Sequence, residues 1–232
     1  MIPSKNPQPT SKRYLCYIII FNILIITTIQ VKAAGAERTQ PPPVEQLQSE
    51  LQPFDEADKA LIHSGTAEMP FRVLQITDQQ DSLTLRQVST DLINFADDTT
   101  FHLLVDRMKA TLAAENGVGI AAPQVGISKN LFLFLRIDLP DQPIQVVVNP
   151  KIIQHADTLV CFKRDGCLSV AGRSGNSSRY PWLAVEYFNE KGEKIQERLE
   201  GYQRPDNFTA IIFQHEYDHT KGIIYTDKLC EE

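Results

Sequence analysis

Two histidines stand four residues apart in His215-Glu216-Tyr217-Asp218-His219, with a glutamate directly after the first. Four residues is just over one helical turn, so on a helix both imidazoles project from one face and can grip one metal ion. Glu216 is then placed to handle the proton of a metal-bound water. The bland alternative is a helix with two core histidines and a surface glutamate. A catalytic metal also needs a third protein ligand and an open position. A third histidine three residues beyond the glycine fails, because Gly222 fits that pattern but position 225 is Tyr225. A glutamate on a further helix finds only Glu231 and Glu232 as candidates, in the thirteen residues after His219. Both protease patterns weaken together.

Upstream, Asp165-Gly166-Cys167-Leu168-Ser169 puts a cysteine in a glycine turn after the strand-like stretch 158–162. A thiolate with two imidazoles suits a tetrahedral site with one place left for solvent. Alone, Cys167 would read as a small buried hydrophobe. Its neighbours make it a candidate ligand.

With these residues in view, the chain resembles the peptide deformylase family, marked by G-x-G-x-A-A-x-Q, E-G-C-L-S and H-E-x-D-H in that order. Here they read Gly117-Val118-Gly119-Ile120-Ala121-Ala122-Pro123-Gln124, Asp165-Gly166-Cys167-Leu168-Ser169 and His215-Glu216-Tyr217-Asp218-His219. The resemblance runs from about Val73 to Leu229. It implies a hydrolase that removes the formyl group from the N-formylmethionine of peptides and releases formate. Cys167, His215 and His219 would hold one divalent metal, usually ferrous iron in this family, with zinc as the alternative. Glu216 would move the water proton to the leaving amine, while Gln124 and the Leu168 N–H would meet the developing oxyanion. Val118, Gly119, Ile211 and Ile212 would line the substrate site, although core packing explains the two isoleucines equally well.

One departure stands out: Asp165 occupies the place of the family's usual glutamate. Being one methylene shorter, it could shift a contact that orients the Cys167 loop and so cost rate. Two other readings compete. One is a relative that binds formyl peptides without cutting them, and the other is an exported metalloprotease.

The supporting elements follow from periodicity. Residues 101–115 have helical spacing through Phe101, Leu104, Val105, Met108 and Leu112, with Thr99 or Thr100 as cap and Asn116-Gly117 as stop. Strands are expected over 131–137 and 144–148, and a hairpin over 182–188 and 193–199 around Asn-Glu-Lys-Gly. A helix over about 206–220 carries Phe208, Ile211, Ile212, His215 and His219 on one face, and Ile223-Ile224-Tyr225 should return as a short strand. The glycine- and serine-rich stretch 172–178 is expected to be a mobile rim of the cleft. The fold class is α+β, strands packed around a central metal-binding helix.

The N-terminus differs in kind. Lys5, Lys12 and Arg13 precede an apolar run from Tyr14 to Ile29, followed by small residues around Ala33. That is the layout of a secretory signal, too short for a usual spanning helix. Residues 1–33 are therefore expected to be a signal peptide, with a membrane anchor or organellar targeting as alternatives; 34–70 form a linker and N-terminal extension, and 71–232 the catalytic domain. Removing 1–33 takes away four basic side chains and no acidic one, moving the net charge from −6 to −10. Such an acidic protein is a poor partner for nucleic acid. Membrane contact is expected only through an uncleaved N-terminal segment. With Cys16 in the leader and Cys167 on the metal, Cys161 and Cys230 remain for one disulfide.

Overall fold

The structure, a computed structural model, describes residues 53–231. The expected leader at 1–33 and the linker up to residue 52 lie outside the described residues. Among the described residues three helices come first: α1 (Glu56–Ile62), α2 (Gln79–Leu85) and α3 (Thr99–Ala114). Seven strands follow: β1 (Gly119–Ala121), β2 (Leu131–Leu135), β3 (Ile144–His155), β4 (Val160–Gly166), β5 (Ser174–Arg179), β6 (Trp182–Phe188) and β7 (Lys194–Glu200). Last comes α4 (Thr209–His219). Strands β1, β2, β3, β6 and β7 form one antiparallel sheet in that order, and β4 pairs with β5 as a separate antiparallel ribbon. The fold is α+β.

The sheet is apolar on both faces because each is covered. Successive residues of a strand point to opposite faces. Leu131 and Leu133 of β2 join the core built on Phe101, Leu104, Met108 and Leu112 of α3, whereas Phe132 and Phe134 pack with Phe213, Ile211 and Ile212 of α4. Val146 and Val148 of β3 face the α3 side and Val147 the α4 side. Phe213 meets Phe132 and Phe134 edge-on at centroid separations of 4.9 and 5.7 Å. Every residue of α4 but Tyr217 is buried. The helix sits inside the protein.

Several boundaries differ from expectation. The cap of α3 is Asp98, whose carboxylate accepts from the Phe101 N–H, and not Thr99 or Thr100. β3 continues to His155 past Asn149-Pro150, where a register shift between Val148 and Lys151 absorbs a proline that reads as a strand end. Residues 223–225 do not form a strand. Ile224 and Tyr225 are buried, but the Ile224 N–H donates to Asp227 and starts a 3-10 turn over Tyr225–Lys228.

Two further findings concern order. Within 34–70, expected to hold a linker and an N-terminal extension, the chain is folded from Phe54 onward: Asp55 caps α1, and Phe54 and Ile62 are buried in the α3 core. Most of the rim expected to be mobile is β5, paired with β4 on both sides of a register shift between Phe162 and Asp165, including Asp165 with Gly175 and Gly166 with Ser174. Pairing supplies order that composition conceals. Gly175 is also where Leu229 and Tyr225 pack closest, so a Cβ there would crowd Leu229 at 2.8 Å.

Candidate metal centre

Three anchors hold α4. At its start the Asn207 side chain accepts from the Thr209 N–H, and the Thr209 hydroxyl lies 3.2 Å from Asp138 in the turn after β2. At its end Gly222 has φ +70°, and the Ile223 N–H closes back on the Asp218 carbonyl at 3.0 Å. A Cβ at Gly222 would overlap the Arg86 carbonyl, so both conformation and space call for glycine. Midway, Gln214 clasps Tyr180 through both its N–H and its carbonyl, each at 2.8 Å.

On this fixed helix the one-turn spacing brings the rings of His215 and His219 to 5.0 Å between centroids. β4 ends at Gly166 and delivers Cys167 to the same point, its Sγ 3.2 Å from His219 Nε2. One ligand atom from each of Cys167, His215 and His219 lies within 4.8 Å of the others. The donor set, one soft thiol and two imidazoles, fits a borderline divalent ion such as Fe²⁺ or Zn²⁺. The buried Nδ1 of His219 has no hydrogen-bond partner among the described residues.

Asp165 reaches beyond its own loop: its carboxylate lies 2.9 Å from His215 Nδ1. Arg179 Nη2 donates to its other oxygen at 2.8 Å, and Ser177 also bonds it. Arg179 in turn pairs with Asp218 behind the helix, and Lys228 donates to Asp218 at 2.6 Å. Burial opposes charge on Asp165, but His215 and Arg179 outweigh it and hold the carboxyl well below the usual range. Burial pulls the His215 imidazole down, but Asp165 and then Cys167 outweigh it and raise the imidazole well above its ordinary value. A carboxylate on Nδ1 keeps a proton there and leaves Nε2 as the metal-facing atom. Arg179, Ser177 and Asp218 were missed in the sequence, although Asp218 sits inside the H-E-x-D-H motif.

Glu216, the next residue of α4, packs its carboxylate against Gly119 of β1. Its Oε2 is buried and without a partner among the described residues, and burial pushes its carboxyl up to about 7. A Cβ at Gly119 would overlap this carboxylate, so the bare backbone of β1 makes its room. Gln124 is fixed by its neighbours: its carbonyl accepts from the Ala121 N–H at 2.8 Å, and its Nε2 lies 3.2 Å from Ser169 Oγ and 3.6 Å from Cys167 Sγ. Gln75, also unanticipated, holds the Leu168 carbonyl at 2.9 Å and so steadies the Cys167 loop.

Glu216, Gln124, Leu168, Cys167 and His215 all open onto one cavity of about 540 Å³, lined on its apolar side by Val118, Gly119, Ile211 and Ile212. His219 lies just behind it, 1% exposed. Cavity and donor set together describe a metal-dependent hydrolase, with three ligands from the protein and room left at the ion.

The class narrows on comparison with known proteins. Residues 72–232 match the family described as Polypeptide deformylase, and the chain belongs to that family. It is 37% identical over 152 residues to Peptide deformylase 2 of a Nostoc species, covering 63% of this chain and 80% of that protein. Peptide deformylase of Thermotoga petrophila is 36% identical over 132 residues, covering 57% and 74%. Among solved structures, peptide deformylase from Thermotoga maritima superposes with a TM-score of 0.60 at 30% identity, over 70% of this chain and 99% of that one. A class I type b enzyme from Acinetobacter baumannii with Met-Ala-Ser bound gives 0.60 at 31%, over 70% and 99%. The protein is a deformylase.

Proposed function

We propose that this deformylase removes the formyl group from N-formylmethionyl peptides outside the cytoplasm. The observation that carries the catalytic part is the convergence of Cys167, His215 and His219 within 4.8 Å, beside a buried Glu216, on one substrate-sized cavity. Cys167, His215 and His219 hold the ion, which when bound polarises a carbonyl and lowers the pKa of water. Glu216 takes a proton as the amide is attacked and returns it to the leaving amine, a task suited to a carboxyl tuned toward neutrality. The Gln124 amide, already immobilised, and the Leu168 N–H donate to the formyl oxygen as charge develops. Val118, Gly119, Ile211 and Ile212 receive the methionine.

Ferrous iron is the proposed native metal, with zinc as the alternative because an iron–thiolate bond is more exposed to oxidation outside the cytoplasm. Export through residues 1–33 is supported by their basic-then-apolar layout and by the disulfide joining Cys161 to Cys230, a bond typical of oxidising compartments. The test is reconstitution with Fe²⁺ or Zn²⁺ under reducing conditions and assay of formate release from formyl-Met-Ala-Ser. Turnover with either ion is expected. A fully loaded, folded preparation that releases no formate would overturn the catalytic reading. Retention of residues 1–40 facing the cytoplasm, in a reporter fusion, would overturn the export reading.

A further inference from the structure

Beyond the metal residues, the cavity reaches guanidinium groups that the hydrolysis described above does not use. Arg173 and Arg204 line the cavity itself, the first following the Cys167 loop in sequence and the second preceding α4. Arg164 shares an adjoining depression with Gly166 and Arg204, and a groove continues from Phe162 past Arg164 to Tyr202. All three arginines are exposed. Among the described residues, none of the three forms an ion pair with a carboxylate, unlike Arg136 and Arg179 nearby.

Arg204 is nonetheless held in place. Its guanidinium lies 4.3 Å from the Phe208 ring centroid and 5.3 Å from that of Phe162. The carboxylates that line the cavity, Asp165 and Glu216, are buried, and Asp165 is already committed to His215 and Arg179. The rim thus carries three exposed guanidiniums without an ion-pair partner among the described residues, on a chain with net charge −6, with Asp165 acting on Arg204 only through its longer-range coulombic pull. A cavity of about 540 Å³ admits more than a formylmethionine, so the residues that follow it in an extended peptide pass this rim.

We propose that Arg173, Arg204 and Arg164 select formyl peptides that carry a carboxylate beyond the methionine. The carboxylate comes from an acidic side chain or from the free C-terminus of a short peptide. The inference rests on the deformylase reading above and adds a substrate class to it. Its physical basis is charge-assisted hydrogen bonding at a partly dry rim, together with steering of the approaching anion.

The metal-loaded full chain is assayed for formate release on four peptides. These are formyl-Met-Ala-Ser, its C-terminal amide, formyl-Met-Asp-Glu amide and formyl-Met-Lys-Lys amide. At low salt the carboxylate-bearing peptides are expected to show kcat/KM about three- to ten-fold above the others, a gap that closes as salt screens exposed charge. Preference for the free acid alone assigns the rim to the C-terminus, and preference for Asp-Glu assigns it to side chains. Arg204→Gln and Arg173→Gln should each shrink the ratio, which is read within each variant so that a general loss cancels, and Arg204→Lys should retain most of it. Equal kcat/KM across the set, or preference for Lys-Lys, would overturn the inference. No formate from any peptide would instead sink the deformylase reading. In that event competition binding of the same four peptides still reports the charge preference without turnover.

Discussion

His215 Nδ1 and Asp165 Oδ1 lie 2.9 Å apart, so a carboxylate from the end of β4 orients an imidazole of α4. Because Arg179 and Ser177 hold that carboxylate from behind, the ring is fixed before any ion arrives. Asp165→Ala should weaken metal binding about 10- to 100-fold, the usual cost of losing such a partner. Chelator competition on the folded variant measures it. Unchanged affinity would mean that the contact is idle.

Glu216→Gln keeps the shape of the side chain and removes its capacity to carry the proton. Turnover should fall by about 10²- to 10⁴-fold while metal content stays at the wild-type level. Formate assay and metal analysis on one preparation check both halves.

Gly119→Ala tests the room made for Glu216. The added methyl overlaps the carboxylate and must displace it. A loss of kcat on the order of 10²-fold is expected, since misplacement of about 1 Å has that cost. Metal content should be preserved. Wild-type kcat in this variant would show that Glu216 works from a second position.

The disulfide closes a loop of 69 residues. Chain-entropy reasoning puts its worth at about 4 kcal/mol, and measured values usually fall between about 2 and 4. Cys161→Ser should lower unfolding free energy by that amount in urea titration, and reduction of the wild type should do the same.

Asp138 joins the end of β2 to the first turn of α4 through Arg136 and Thr209. Its bond to Arg136 holds its carboxyl below the ordinary value of 3.8. A depressed carboxyl contributes stability that is fully present above the unfolded value and disappears as pH falls through the folded one. Asp138→Asn should therefore cost about 1–2 kcal/mol at pH 7, and the difference from wild type should vanish in strong acid. A pH-independent difference would assign the effect to packing.

Long periodic segments were legible in the sequence. α3, the β6–β7 hairpin and α4 follow the expected spacing because their apolar faces repeat over several turns or residues. α1 and α2 were not read as helices, being seven residues each, although Asp55 and Asp78 announce their starts as capping residues. β5 was hidden because Ser174-Gly175-Asn176-Ser177-Ser178 has little strand propensity of its own and is ordered by β4.

The site divides in the same way. Cys167, His215, His219 and Glu216 carry their chemistry in residue type and spacing, so they were visible. The Arg179 bridge between Asp165 and Asp218 joins residues 14 and 39 positions away, and nothing local marks a pairing that only tertiary packing creates. Asp165 itself was noticed, but as a support for its own loop. Its partner lies on another element.

One strand bears two sulfurs with opposite fates. Cys161 lies within β4 and Cys167 just beyond its end, so at the rise of an extended chain roughly 20 Å separates them, far outside the reach of a bond between their side chains. Cross-capture is thereby prevented by length alone. In the folded chain the cystine sulfur of Cys161 and the metal-site sulfur of Cys167 are therefore held apart by the strand that carries them both.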